Sequence, residues 1–226
     1  MKLIIDDADI KKIKEIYEFY PADGITTNPS IVSKTGRPPY EVLKEIREFI
    51  GEEGDLHVQT ISQKAEDIVE EGHRIVAELG KTTYVKIPVT QEGLKAIRIL
   101  SQEGYRTTAT TIYTPMQAYL AAKAGADYAA PYVNRIDNLG ANGIESVKVM
   151  QDIFKKNGFK TELVAASFKN SQQVQELCAY GIGAATLAPD VIKNLVFNPC
   201  NEAAIANFKK DFEGLCGEGK TMKDCE

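Results

Sequence analysis

The sequence predicts an α/β fold, a single (β/α)8 barrel, and three observations point to it. Eight short β-like runs alternate with amphipathic, helix-like stretches along nearly the whole chain. The runs start near Leu3, Gly24, Leu56, Thr83, Thr107, Tyr128, Glu162 and Ala184, and their spacing of roughly 20 to 35 residues is the length of one βα unit. No G-x-G-x-x-G follows the first strand, and no strand leads into a G-x-x-x-x-G-K-[ST] loop. A doubly wound open sheet often carries such phosphate loops, so the closed barrel is favoured over that alternative.

Each element has its own signal. The strand at Leu3-Ile4-Ile5-Asp6 leads into a helix over Ala8 to Phe19, with Asp7 as its start residue. Gly24-Ile25-Thr26 follows, then a helix over Pro39 to Ile50 that closes on Gly51. After the strand at Leu56 a helix over Ser62 to Leu79 closes on Gly80, and after the strand at Thr83 one over Gln91 to Gln102 opens behind Thr90 and closes on Gly104. The strand at Thr107 is followed by a helix over Pro115 to Ala124 behind Thr114, ending at Gly125. The strands at Tyr128 and Glu162 precede helices over Asn142 to Lys156, closing on Gly158, and over Ser171 to Tyr180, between Asn170 and Gly181. The strand at Ala184 precedes a helix over Asp190 to Leu195. Side-chain oxygens at helix starts take up unpaired N–H groups, and glycine supplies the left-handed residue that ends a helix. A further helix over about 202–213 and a polar tail from Gly217 complete one domain spanning 1–226, since no linker separates a second one.

Composition narrows the function. A net charge of −5 without a basic tract gives no reason to expect nucleic acid as a partner. No apolar run approaches membrane-spanning length and the N-terminus has no leader-like pattern, so the expectation is a cytoplasmic protein with no membrane partner. Cys178, Cys200, Cys216 and Cys225 lack metal-ligand spacing and read as reduced thiols rather than a disulfide framework.

The chemistry starts at Lys86, set in Thr82-Thr83-Tyr84-Val85-Lys86-Ile87-Pro88-Val89. With a side-chain period of two, Val85, Ile87 and Val89 share one side of the strand and Lys86 and Tyr84 the other. Burying an ammonium is costly, so the group tends to shed its proton, and a neutral amine is a nucleophile. The same parity sends Ile4 and Asp6, Thr26 and Asn28, His57 and Gln59, Thr108 and Thr110, Ala130 and Tyr132, and Ala165 and Ser167 into the barrel. Asp6, Asn28, Gln59, Lys86, Thr110, Tyr132 and Ser167 thus converge at the C-terminal ends of the strands, where so many polar groups are costly to bury without a ligand. His57 lies deeper and is expected to line the core, and His73 is expected to be exposed. Two separated histidines make no metal site.

Four segments also carry a resemblance: Gly24-Ile25-Thr26-Thr27-Asn28-Pro29-Ser30, Val85-Lys86-Ile87-Pro88-Val89-Thr90 with Glu92-Gly93-Leu94, Ala130-Pro131-Tyr132-Val133-Asn134-Arg135-Ile136-Asp137, and Ala165-Ala166-Ser167. In order and spacing the chain resembles the transaldolase family over nearly its full length, and within it the fructose-6-phosphate aldolase-like branch. The resemblance implies a Schiff-base lysine, no metal and no organic cofactor. Transaldolases of the family have glutamate where this chain has Gln59 and phenylalanine where it has Tyr132; glutamine and tyrosine are the pattern of the aldolase branch. Asp7 and Ala109 depart from the usual threonine and glycine, beside functional positions rather than at them.

The implied activity is a class I (Schiff-base) aldolase that cleaves or forms fructose 6-phosphate from dihydroxyacetone and glyceraldehyde 3-phosphate. The alternative is a transaldolase moving a dihydroxyacetone unit from sedoheptulose 7-phosphate to glyceraldehyde 3-phosphate, in the pentose phosphate pathway. Lys86 would be the nucleophile and Asp6 the acid/base, with Gln59, Thr110 and Tyr132 managing water and protons. Asn28 would hold substrate hydroxyls, and Arg135 and Ser167 the phosphate. For Arg135 the competing expectation is a surface pair with Asp137 or Asp127. The resemblance further implies a homo-oligomer, commonly a pentamer or decamer.

Overall fold

In a computed structural model, which describes residues 1–225, eight parallel strands close into a barrel in sequence order. Glu226, at the end of the expected polar tail, lies outside the described residues. The strands are β1 (Lys2–Asp6), β2 (Gly24–Thr26), β3 (Asp55–Gln59), β4 (Thr83–Pro88), β5 (Thr107–Ile112), β6 (Tyr128–Pro131), β7 (Glu162–Ala165) and β8 (Ala184–Leu187). Each pairs with the next, and β1 closes the ring by pairing Lys2 with Ala184 and Ile5 with Leu187. Around them run α1 (Ile10–Phe19), α2 (Pro29–Ser33), α3 (Pro39–Ile50), α4 (Ala65–Leu79), α5 (Gln91–Gln102), α6 (Pro115–Lys123), α7 (Val133–Asn138), α8 (Gly143–Asn157), α9 (Ser171–Tyr180) and α10 (Pro189–Asn194). The barrel unit spans Met1–Ile192.

The helix signals act largely as their chemistry requires. Thr90, Thr114 and Asn170 cap α5, α6 and α9, each accepting a backbone N–H three residues on. Asp7 does not cap α1. Its carboxylate instead closes a turn on the N–H groups of Ala8 and Asp9, and Asp9 is the cap, accepting from Lys11. The short helices α2 and α7 have no expectation to match, because one or two turns are too few to display an amphipathic period. Gly93 shows why α5 seats tightly on β4: an added Cβ would lie 2.0 Å from the Pro88 carbonyl oxygen.

Apolar burial is organised in two shells. Between strands and helices lies a continuous layer that includes Ile5, Ile25, Leu56, Val85, Ile87 and Leu163. Inside the barrel Ile4, Tyr84, Tyr128, Ala130, Val164 and Ala184 form a separate cluster. His57 joins this inner layer, fully buried, stacked on Tyr84 with ring centroids 4.6 Å apart and bonded through Nδ1 to Thr108 Oγ1 at 2.8 Å.

One expected parity is wrong. Val164, not Ala165, points into the barrel, and Ala165 packs in the outer layer. The register pairs Tyr128 with Glu162, so β7 presents its even-numbered residues inward. A strand as apolar on both sides as Leu163-Val164-Ala165 carries no alternation from which to read its facing.

A second unit begins at Lys193. Its helix α11 (Pro199–Cys216) is longer than expected, is capped by Asn198, and has no buried residue. Among the described residues no helix is long and apolar enough to cross a membrane.

Candidate active site

The side chain of Lys86, on β4, is almost fully buried, with 3% of the residue exposed. Its Nζ donates to the Thr27 carbonyl oxygen at 3.1 Å. Burial pushes its pKa below the ordinary 10.5; the Asp6 carboxylate opposes that shift and the Arg135 cation adds to it. Lys86 stands in register with Gln59 on β3 and with Thr108 on β5.

Asp6 ends β1 in register with Thr26. Thr26 Oγ1 donates to Asp6 Oδ1 at 2.8 Å and lies 2.5 Å from Thr186 Oγ1. A hydroxyl has one proton to give, so Thr186 donates to Thr26 and the two form a chain ending on the carboxylate. Such bonds hold the carboxylate in one orientation.

Asn28 follows β2 and caps α2: its Oδ1 accepts the Ile31 N–H at 3.0 Å. Its NH2 group remains to donate to a ligand's hydroxyls. Tyr132 follows β6 and bridges to Ala166, and its hydroxyl lies 3.2 Å from Thr110 Oγ1. Arg135 sits three residues on, in α7, with its guanidinium 4.4 Å from the Tyr132 ring centre. A hydrogen bond with Tyr113 secures the Arg135 charge. The competing surface pair does not form: Asp137 accepts from Gln173 and Gly143, and Asp127 from Thr107.

Two strained residues shape the rim. Thr111 and Ser167 have φ of 59° and 62°, the non-glycine residues with positive φ among those described. Thr111 sits in a bulge where the β5–β6 register shifts between Ala109 and Ile112, and bulges re-aim neighbouring side chains, here Thr110. At Ser167 the left-handed turn brings a residue of the wrong strand parity to the mouth. Its carbonyl accepts the Asn134 N–H at 2.9 Å, tying it to α7. Such conformations cost about 1–3 kcal/mol each and concentrate at ligand sites.

A cavity of about 310 Å³ opens at this end of the barrel. Asp6, Asn28, Lys86, Tyr132, Arg135 and Ser167 all line it. Gln59 and Thr110 do not; Thr110 is fully buried with its hydroxyl against Tyr132, and Gln59 is half-buried with an Oε1 that has no partner among the described residues. Thr186, Lys34 and Lys169 also face the cavity and were not expected there. Thr186 was findable, because it shares the parity of Ala184 in β8. Lys34 and Lys169 lie beyond the strands, where no periodicity signals direction. Larger cavities of about 510 Å³ at the N-terminal ends of the strands and about 560 Å³ beside His73 lack a buried amine. The C-terminal mouth is the site of interest because it combines a desolvated lysine, an oriented carboxylate and a cationic rim.

Comparison with known proteins agrees with this geometry. The family model described as transaldolase/fructose-6-phosphate aldolase matches residues 3–222. A protein of Thermodesulfovibrio yellowstonii named "Probable transaldolase" is 40% identical over 215 residues, covering 95% of this chain and 99% of that one. Proteins of the same name from Aquifex aeolicus and Clostridium botulinum (strain Langeland) are each 40% identical, covering 94% and 97% of this chain and 97% and 100% of theirs. The chain belongs to the transaldolase/fructose-6-phosphate aldolase family.

Proposed function

We propose that the chain is a class I aldolase that cleaves and forms fructose 6-phosphate from dihydroxyacetone and glyceraldehyde 3-phosphate. The single observation that carries the lyase reading is the pairing of the Tyr132 hydroxyl with Thr110, beside Lys86 and its register neighbour Gln59. An amide cannot exchange a proton as a carboxylate does, so a phenol beside the amine takes over proton transfer to and from the imine.

In this mechanism Lys86, whose burial favours loss of its proton, attacks the C2 ketone as the free amine and forms a carbinolamine, then an iminium as water leaves. Asp6, oriented by Thr26 and Thr186, takes the C4 hydroxyl proton as the C3–C4 bond breaks. The aldehyde departs and the electron pair of the broken bond becomes a dihydroxyacetone enamine on Lys86. Protonation at C3 restores the iminium, and a water held by Gln59, Thr110 and Tyr132 hydrolyses it. The Asn28 NH2 steadies the hydroxyls of the three-carbon unit. Arg135 and Ser167 take the phosphate, with Lys34 and Lys169 adding positive charge at the rim. No cofactor enters. A cytoplasmic location belongs to the same proposal, as does a homo-oligomer, pentamer or decamer, which rests on the resemblance alone.

The names of the relatives favour a second reading, a transaldolase transferring the dihydroxyacetone unit from sedoheptulose 7-phosphate to glyceraldehyde 3-phosphate. Both readings use one enamine, and the difference is whether water or an aldehyde meets it faster. Incubation with fructose 6-phosphate alone, with and without borohydride, separates them. The lyase releases free dihydroxyacetone without an acceptor and leaves a reduced adduct on Lys86. Turnover only after an aldehyde is added supports the transferase, and absence of an adduct on Lys86 sinks both.

A further inference from the structure

A second cavity, of about 420 Å³, adjoins the catalytic mouth. Its walls are the start of α1, from Asp9 to Lys12, and the turn after α2, with Lys34, Thr35 and Arg37. Lys34 lines both cavities, so the two meet at that residue. Helix α2 explains the arrangement. Asn28 caps its start and lines the catalytic cavity, while Lys34 follows its end. Gly36, at φ 65°, then turns the chain, and Arg37 lies against the same cavity as Lys34.

The charge of this cavity runs against that of the chain. In a sequence with 32 acidic and 27 basic residues, four cations line it against a single carboxylate, Asp9. That carboxylate is already engaged: Oδ1 accepts the Lys11 N–H at 3.0 Å, and Oδ2 lies 4.0 Å from Lys12 Nζ. Arg37 Nη1 donates to Glu45 Oε2 at 2.6 Å, which leaves the other donors of the guanidinium fork open. Among the described residues no carboxylate pairs with the side chain of Lys11 or Lys34. Asp9 and Glu45 set against four cations leave an excess of two positive charges, which matches a phosphate dianion. All four cations are exposed, so an anion enters without any rearrangement of the fold.

We infer that this cavity is a second phosphate-binding site, separate from the Arg135 and Ser167 grip and joined to the catalytic rim at Lys34. Its ligand is a phosphate dianion, free or carried on a small metabolite. The lysines supply point charges, and the open side of the Arg37 guanidinium supplies planar donors matched to phosphate oxygens. The end of α1 is not the source of the attraction. Asp7 already accepts the N–H groups of Ala8 and Asp9, and Asp9 that of Lys11. The site goes beyond the proposed aldol chemistry, none of whose steps requires it.

Isothermal titration calorimetry on the full chain tests the site, with inorganic phosphate and glycerol 3-phosphate as probes. Ionic strength is held constant with potassium chloride, because exposed charges are screened by salt. Arg135→Gln removes the guanidinium of the substrate grip, and saturable binding of a single phosphate is expected to persist in that variant. Adding Lys11→Gln and Lys12→Gln is expected to weaken it by about tenfold, the combined loss of two exposed charges, and adding Lys34→Gln alone by about threefold. The tighter of the two probes identifies the source, free anion or ester. The inference is overturned if Arg135→Gln abolishes binding, if the lysine variants bind as tightly as Arg135→Gln alone, or if the heat follows ionic strength rather than phosphate. Binding is read without turnover, so each of these failures leaves the aldolase reading untouched.

Discussion

Replacing Lys86 by methionine tests the central physical claim, that this amine is held in the fold against its own solvation. Methionine keeps the length and loses the charge. The lysine is 3% exposed and among the described residues its Nζ has one acceptor, the Thr27 carbonyl at 3.1 Å, although an ammonium has three donors. Losing that bond costs about 1–2 kcal/mol. Against it stands the removed desolvation, worth about 1.4 kcal/mol for each unit by which the pKa falls below its ordinary value. The folded state binds the Lys86 proton more weakly than the unfolded chain does, because its pKa lies below 10.5. The penalty is therefore full below the folded-state pKa and fades as pH rises from that value towards 10.5. At neutral pH the methionine variant is expected to equal or exceed the parent in stability by up to about 3 kcal/mol, or up to roughly 10 °C in Tm for a chain of this size. Its activity is expected to vanish. Thermal unfolding at a series of pH values from neutral to about pH 10 reads the outcome, with the advantage shrinking towards alkaline pH. A variant less stable than the parent at neutral pH, by an amount that does not change with pH, would show Lys86 to be a satisfied structural charge.

Gln59→Glu combined with Tyr132→Phe restores a carboxylate at the water position and removes the phenol. Release of free dihydroxyacetone from fructose 6-phosphate is expected to fall by roughly 100-fold relative to transfer onto an added aldehyde, the lower range for a positioned acid/base; an unchanged ratio assigns the proton transfers elsewhere. His57 is fully buried and its pKa is held well below 6.5, first by burial and then by the Lys86, Lys2 and Arg47 cations. It stabilises the fold fully above pH 6.5, and that contribution is lost as pH falls from 6.5 through its folded-state pKa. His57→Phe keeps the stack on Tyr84 and is expected to flatten the loss of stability as pH falls below 6.5, measured by denaturant titration; an acid slope equal to the parent's would place the proton uptake on other groups.

The positions of the strands were legible because each is a short apolar run set off by residues with strong backbone preferences. All eight observed strands begin within one residue of the positions read from the pattern, and α3, α5 and α9 have the expected limits. The direction of Lys86 was legible for the same reason, since Val85 and Ile87 alternate with it in a strand of unambiguous parity. Ser167 reached the mouth by a route that parity did not describe: β7 faces the other way, and a left-handed residue turns the chain back. The cap on α2 was also hidden. Asn28 looked like a free amide in a motif, and folding commits its oxygen to Ile31.

Local chemistry along the chain was enough to set the eight βα units, their order and the residue that lies in each strand's last turn, because backbone preference and burial period act over a few neighbours. Folding alone decided which hydroxyls orient Asp6 and which cations beyond the strands rim the cavity. Those are contacts between residues far apart or beyond any regular element, such as Thr26 with Thr186 across the closing seam, and no repeat in the sequence encodes the geometry that joins them.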